Sequence, residues 1–527
     1  MSRSPIDTHR LTIIVLTCLV VALLGLLAVG DNHSLRLMMN SLLLATAVGA
    51  LAIPTGYSLA VMLNRYQVPG SGYAKFFVRM LIFIPLYLQV ACWRSLLGPQ
   101  GWLQAQVGEY AHWVLLDGWF GAIILHALAA IPWVFLFTEL ALANIPAEFE
   151  EEGLLNASPL RVLFGITLRQ SIGAVFVSAL WILIVCYGEM TVTSICNIRT
   201  YAEVLFTGIT LGELNGEKQL GILPGVMLIA VLISIAMLLG SQLMPQATHA
   251  ETGRRTQFHS LSQSRIVSSL AWCLVLLLVG VPLMGLLYKA GVTVDRVDQG
   301  WERSWSLLKV LEIIIQEYPA NRPQFIWSLL LGISCAIVTV SIALPLAWTA
   351  RLGGKAAAWS LGLCAGLFAL PGPLIGLSLI QIMNQRNLSW LIYLYDQTIF
   401  TPLIAVVIVA LPICTFFAWY GFRGDSSDLT DSAATEGAGY LQTFFLAGIT
   451  RHKSLVVATF FVAFSIAVAD VGASILVIPP GIDTVARKIF GELHTGSEDN
   501  VASICLVNLA FMASMAVVVQ RLLRERK

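Results

Sequence analysis

Apolar residues fill runs of roughly 20 or more positions along this chain, each long enough to cross a bilayer as a helix. Twelve such runs are expected, at about 11–30, 38–63, 76–98, 118–145, 171–195, 218–244, 267–290, 326–350, 357–383, 399–420, 454–478 and 500–520. Helices are the expected spanning form, because lipid cannot satisfy open backbone N–H and C=O groups. The first run follows "MSRSPIDTHR", and Ala28-Val29-Gly30 resembles a signal-peptide cleavage site. At about 20 residues this run exceeds a usual signal-peptide core, so it reads as an uncleaved first helix. The expected fold is an all-α polytopic membrane protein.

Composition agrees. Of the 527 residues, 57% are hydrophobic and 12% charged, against about 25% charged in a soluble chain. Mean hydropathy is +0.80. A net charge of +1 offers no basic field to nucleic acid, and no nucleic-acid-binding motif is present. The nine cysteines lie in or beside apolar runs with no CxxC pair, as small buried hydrophobes do. With the N-terminus inside, most Lys and Arg fall on the inner side, among them Arg3, Arg65, Arg79, Arg161, Arg254, Arg255, Arg351 and Arg423. The positive-inside rule then favours a multi-pass plasma (inner) membrane protein with both termini cytoplasmic.

The pattern also repeats. "NSLLLATAVGA" (40–50) resembles "WSLLLGISCAI" (327–337), and each opens the second run of a six-run half. Both runs carry a proline, Pro54 or Pro345, and close on an arginine, Arg65 or Arg351. "EEGLLNAS" (151–158) aligns with "DSAATEGA" (431–438) at an offset of 280. "TYAEVLF" (200–206) aligns with "TVARKIF" (484–490) at an offset of 284, with Thr, Ala and Phe identical. Residues 1–245 therefore read as a first six-helix half, 246–265 as a polar cytoplasmic linker, and 266–527 as a second half. An even number of spans per half makes the repeat parallel, about a pseudo-two-fold axis along the membrane normal. A pathway on that axis is expected.

An acidic segment follows the fourth run of each half and, in the expected orientation, faces the cytoplasm. In the first, Pro146 suits a first helical turn, and Glu148, Glu150, Glu151 and Glu152 crowd the end where the helix dipole favours carboxylates. In the second, Asp428 and Asp431 stand three apart, close to a capping box. Ala433 and Ala434 favour helix, and Gly437 and Gly439 then stop or turn the chain. Each segment is expected to be a short helix, a break, and a second helix returning to the membrane. An ordinary amphipathic loop helix would look the same in one copy; two copies at matching places favour a paired docking surface.

Here the chain resembles the permease subunits of ABC importers. These carry a cytoplasmic motif of Glu-Ala-Ala, three residues, then Gly, between two late helices of each half. The matching positions are Glu151-Glu152-Gly153 with Ala157, and Asp431-Ser432-Ala433 with Gly437. "FALPGPLIGLSLI" (368–380) is similar to the helix after the Arg351 loop in the iron(III) and thiamine permeases, which fuse two halves in one chain. The resemblance implies that Glu150, Glu151, Gly153, Ala157, Asp431, Ala433, Ala434, Glu436 and Gly437 form the segments that dock on an ATPase. It implies two copies of a cytoplasmic ABC ATPase and an extracytoplasmic solute-binding protein as partners. The letters depart from the family at several points. The first copy has Glu-Gly for Ala-Ala and Ala157 for the glycine; the second has Asp for Glu and Ser for the first Ala. Arg169 stands about where the family often has proline. No GxxxxGK[ST] phosphate loop is present, so ATP and Mg are expected on the partner, with no cofactor, resident metal or catalytic residue in this chain. Iron(III) is the implied substrate, with thiamine or another small organic solute as the alternative.

Ionisable residues inside a membrane are functional candidates. Glu189 and Asp470 lie in the outer part of the span after each acidic segment, at an offset of 281. They are expected either to set a weak cation-favouring field at an outer gate or to bind neighbouring backbone and fix packing. Arg94, His126 and Glu139 have no ionisable counterpart in the other half and are expected to be structural. The short amphipathic segments at 200–206 and 484–490 could close the outer mouth, receive a binding protein, or simply lie in the interface. A secondary transporter of the major facilitator type would also have two six-helix halves, but the loop "NRYQVPGSGYAKFFVR" lacks its Asp-Arg-x-Gly-Arg signature. A channel or scaffold would leave the duplicated acidic segment without a role.

Overall fold

The computed structural model describes residues 32–98, 116–212, 264–297, 300–351, 353–385, 387–423, 432–433, 435–495 and 498–524. The expected spans at 11–30 and 218–244, and nearly all of the linker, lie outside the described residues.

Long apolar runs of good helix formers become long helices, some continuous through a proline and two broken at one. In the first half, α1 (Asn32–Arg65) runs 34 residues straight through Pro54. The next run does not stay straight. α2 (Ser71–Met80) tightens through a 3-10 turn at Leu81–Phe83, and α3 (Leu86–Leu97) leaves at 110°. Pro85 is the cause: it removes a donor and holds Ile84 extended at ψ 117°. α4 (Gly118–Ala143) is capped by the Asp117 carboxylate and passes through Pro132. Then come the short α5 (Ala147–Asn156), α6 (Pro159–Gln170, with a π-turn at Leu163–Thr167) and α7 (Ile172–Gly188), which bends 65° from α6. The short α8 (Thr191–Ile195) and α9 (Tyr201–Thr210) close the described part of this half.

The second half opens with α10 (Arg265–Gly291). A hairpin follows, β1 (Val292–Val297) antiparallel to β2 (Gly300–Trp305), with Val292 opposite Trp305. This pair is the only sheet among the described residues. Next are α11 (Leu307–Ala320), α12 (Arg322–Arg351), α13 (Gly354–Phe368) and α14 (Gly372–Met383). Pro371 breaks the last two apart by 94°. α15 (Ser389–Gln397) and α16 (Phe400–Arg423, through Pro412) lead to α17 (Tyr440–Thr450), whose π-turn spans Phe444–Thr450. α18 (Lys453–Ala469) bends 81° from it, and α19 (Val485–Thr495) and α20 (Glu498–Arg524) close the described residues.

Among the described residues six helices are long and apolar enough to cross a membrane, and ten if each bent pair is one span. The architecture is all-α and multi-pass apart from the hairpin. The expected spans 76–98, 171–195, 357–383 and 454–478 differ in detail. Two are broken at proline, and the other two stop at Gly188 and Ala469, well short of their apolar ends.

α1 packs against α4 and α7, while α12 packs against α16 and α18. In lipid such contacts rely on close van der Waals approach, not on hydrophobic exclusion from water. Gly56 allows that on α1: a methyl there would sit 2.7 Å from Cβ of Val134 on α4. Local geometry matches at equivalent positions. Ser41 Oγ accepts the Tyr201 N–H at 3.1 Å, and Ser328 Oγ accepts the Val485 N–H at 3.0 Å. Asn197 (φ 56°) and Gly481 (φ 85°), at an offset of 284, both turn left-handed just before α9 and α19. The halves interlock. α3 packs against α10, α19 and α20, and Asn508 Nδ2 on α20 donates to the Tyr87 hydroxyl at 3.2 Å. The largest apolar cluster accordingly runs from Leu44 and Leu88 to Phe490 and Leu506.

Candidate functional site

The first acidic helix, α5, starts at Pro146, whose extended ψ of 137° opens the turn, with Glu148 and Glu150 in that turn. The four acids do not share one environment. Glu151 and Glu152 are exposed, while Glu150 is fully buried. Glu150 precedes Gly153 and Leu154 by three and four residues, so all three share one helix face. That face meets α6, where a methyl on Gly153 would stand 2.6 Å from Ile166 Cδ1.

A buried Glu must be paired, and Glu150 is. Arg65 Nε, at the end of α1, lies 2.9 Å from its Oε2, and the Thr167 hydroxyl donates to Oε1 at 2.7 Å. Arg65 Nη2 also donates to Leu142 O at the end of α4, at 2.8 Å. The chain of polar contacts continues: Ser171 Oγ donates to Thr167 O at 2.7 Å, and the Tyr57 hydroxyl stands 2.7 Å from Ser171 Oγ. α5, α6, α1 and α4 are thereby tied into one body at the bend. Ala157 ends α5 in extended geometry, φ −142°.

In the second acidic segment Ala433 is half-buried and Glu436 and Gly437 are exposed; Asp431 and Ala434 lie outside the described residues. Gly437 adopts φ +82°, and Ala438 N–H donates back to Ala433 O at 2.9 Å. A left-handed glycine with this bond is a helix terminator, as the sequence predicts. Gly439 N–H then donates to the Gln442 side chain at 3.1 Å to start α17. Next to both acidic segments equivalent apolar side chains stay exposed, Leu160 and Phe164 on α6, Leu441 and Phe445 on α17.

No protein-family model and no curated protein matches this chain. Its site must be read from its own geometry.

Glu189 and Asp470 are each the first residue past a helix, where the sequence places them inside a span. Each is extended and caps the next turn. The Thr191 and Val192 N–H groups donate to the Glu189 carboxylate, Val192 at 3.0 Å to Oε2. The Ser474 N–H donates to Asp470 Oδ2 at 2.9 Å. In each case the carboxylate accepts backbone N–H groups that the break would leave without a helical carbonyl, and so starts the next turn inside an apolar run. Glu189 has a second neighbour: His126 Nε2 lies 3.4 Å from its Oε2, while His126 Nδ1 contacts Ala122 O at 2.8 Å. The residue 280 positions on from His126 is Val406, so this pair is confined to the first half. Glu139 meets Arg79 in a two-pronged pair at 2.9 and 2.6 Å. Arg94 is half-buried on α3. The carboxylates at these helix ends can orient loops and set a local field.

Proposed function

We propose that this chain is the membrane-spanning subunit of a binding-protein-dependent ABC importer, built as two parallel six-helix repeats with both termini in the cytoplasm. One observation carries the reading. Two acidic segments aligned in the sequence each follow a long span and precede a helix with a π-turn that bends sharply into the next span. The matched serine caps, the left-handed residues Asn197 and Gly481, and the paired proline breaks support the repeat.

In this reading each acidic element docks on one copy of a cytoplasmic ATPase that binds ATP and Mg. Closure of the ATPase pair draws the two elements together. The Arg65–Glu150–Thr167 tie passes that displacement to α1 and α4 without slack, because a buried, hydrogen-bonded ion pair cannot be stretched cheaply. The inner side then closes and the outer side opens to an extracytoplasmic binding protein. Iron(III) is the proposed cargo; the support for it is the resemblance of residues 368–380 and the two outer carboxylates.

The test is co-purification with the candidate ATPase. Glu151→Arg and Gly437→Arg, both at exposed positions, are expected to lose most of the bound ATPase while the chain stays folded. Undiminished retention by both variants would remove the docking assignment.

A further inference from the structure

Phe206 and Phe490 hold the same place in "TYAEVLF" and "TVARKIF", and in the fold their rings touch. Their centroids are 6.4 Å apart and the planes cross at 85°, an edge-to-face contact. Where two-fold symmetry relates two parts, a residue meets its own counterpart only at the axis. The contact therefore marks the axis on the side of α9 and α19.

The surroundings are reciprocal. α9 of the first half packs on α14 of the second, and α19 of the second packs on α3 of the first. Behind each ring the same back-bond recurs: the Thr210 hydroxyl donates to Phe206 O at 2.6 Å, and His494 Nδ1 contacts Phe490 O at 2.9 Å. The His494 ring also lies 4.4 Å from that of Phe490, and its Nε2 is 3.3 Å from Ser194 Oγ on α8. Ser194 belongs to the first half and His494 to the second, so this bond also joins the two. The residue 281 positions on from Ser194 is Ile475, which cannot repeat it.

We propose that Phe206 and Phe490 are the seal of the pathway at its outer mouth, with His494–Ser194 as a one-sided latch, and that this structure is the outward-closed state. The proposal rests on the repeat and pathway reading above. Its chemistry suits a gate. Two phenyl rings exclude water and small ions, yet an aromatic pair contributes only ~0.5–1.5 kcal/mol beyond its buried area. A seal of that strength closes without locking.

The test is a Phe206→Cys/Phe490→Cys variant in lipid vesicles, with a protease site placed in the 246–263 linker. A short oxidative or maleimide cross-link is expected to hold the two cut halves together on a denaturing gel. It should fail in either single-substitution variant, where only native cysteines stand beside the introduced one, and it should fall several-fold when the associated ATPase is trapped with nucleotide. As a second measurement, Phe206→Ala/Phe490→Ala is expected to raise potassium release from loaded vesicles at least several-fold, and Ser194→Ala to raise it less. No cross-link in the double variant, or unchanged potassium release, would overturn the seal. If no ATPase associates, the importer reading falls, while the nucleotide-free cross-link and the potassium release still decide the seal.

Discussion

Among the described residues, the joint behind the first acidic helix is polar, and the joint behind the second acidic segment is built on aromatic rings. In the first, Arg65, Glu150, Thr167, Ser171 and Tyr57 form one continuous chain of charge and hydrogen bonds. The residues 281 positions on from Thr167 and Ser171 are Gly448 and His452. There Trp348 fills the space, edge-on to Phe422 at 5.3 Å and to Phe444 at 6.0 Å, with the His452 ring 5.4 Å from Phe422. Gly448 makes room for the indole, since a methyl there would stand 3.2 Å from it. The arginine survives in both, but Arg351 lies over the Trp348 ring at 3.8 Å, a cation–π contact. The same bend can thus be held by direction or by volume. A polar joint fixes angles and is sensitive to single atoms, whereas an aromatic joint depends on filled space and tolerates small rotations.

The largest effects should separate these two kinds of joint. Glu150→Ala strands the Arg65 charge in the interior and is expected to cost about 3–5 kcal/mol. Replacing both partners, Arg65→Met with Glu150→Leu, should recover most of that loss, because two apolar groups leave nothing unpaired. Trp348→Ala opens a cavity at a residue only 1% exposed, for about 3–5 kcal/mol, and replacing Arg351 as well should not recover it. Thermal unfolding of the detergent-solubilised chain reads all four variants. If the Arg65/Glu150 double change is no better than Glu150→Ala alone, the polar joint is not held by the ion pair.

A smaller effect should be the same in both halves. Ser41→Ala and Ser328→Ala each remove the acceptor of one backbone N–H, at the start of α9 and of α19 respectively. Each is expected to cost about 1–2 kcal/mol, and the two values should agree closely. Unequal losses in the same unfolding measurement would mean that the two bonds are not equivalent parts of a repeat.

Much of the fold is legible in the sequence, and the parts that are not share a cause. Runs such as 38–63, 118–145, 326–350 and 399–420 became α1, α4, α12 and α16 because apolar length dictates a spanning helix. The breaks at Pro85 and Pro371 hide in those runs: hydropathy does not register a missing donor, and Ile84-Pro85 and Leu370-Pro371 read the same as Ile53-Pro54 and Leu411-Pro412, which stay inside α1 and α16. The early helix ends at Gly188 and Ala469 depend on carboxylates that act locally, at Glu189 and Asp470. Glu150 was legible as part of an acidic turn but not as its buried member, since its partner Arg65 lies 85 positions away. The Arg79–Glu139 pair, 60 positions apart, was out of reach for the same reason.

The smallest effect is the most local, and it bears on how the two acidic segments end. Gly437 sits at φ +82° with nothing within 4 Å of a methyl placed on it. Gly437→Ala therefore meets no neighbour, and its cost is purely that of holding an L-residue left-handed, ~1 kcal/mol. Ala157 ends the other helix at φ −142°, where any residue is at ease, so Ala157→Gly adds unfolded-state freedom without relieving strain. Amide hydrogen exchange reads the difference. Gly437→Ala should speed exchange at Ala438, whose N–H closes the terminator on Ala433 O, and leave α5 untouched. Ala157→Gly should produce no matching change in the second segment. Equal responses would mean that the glycine is incidental, and that the bends after the two acidic helices, not their ends, set where each helix can be pushed.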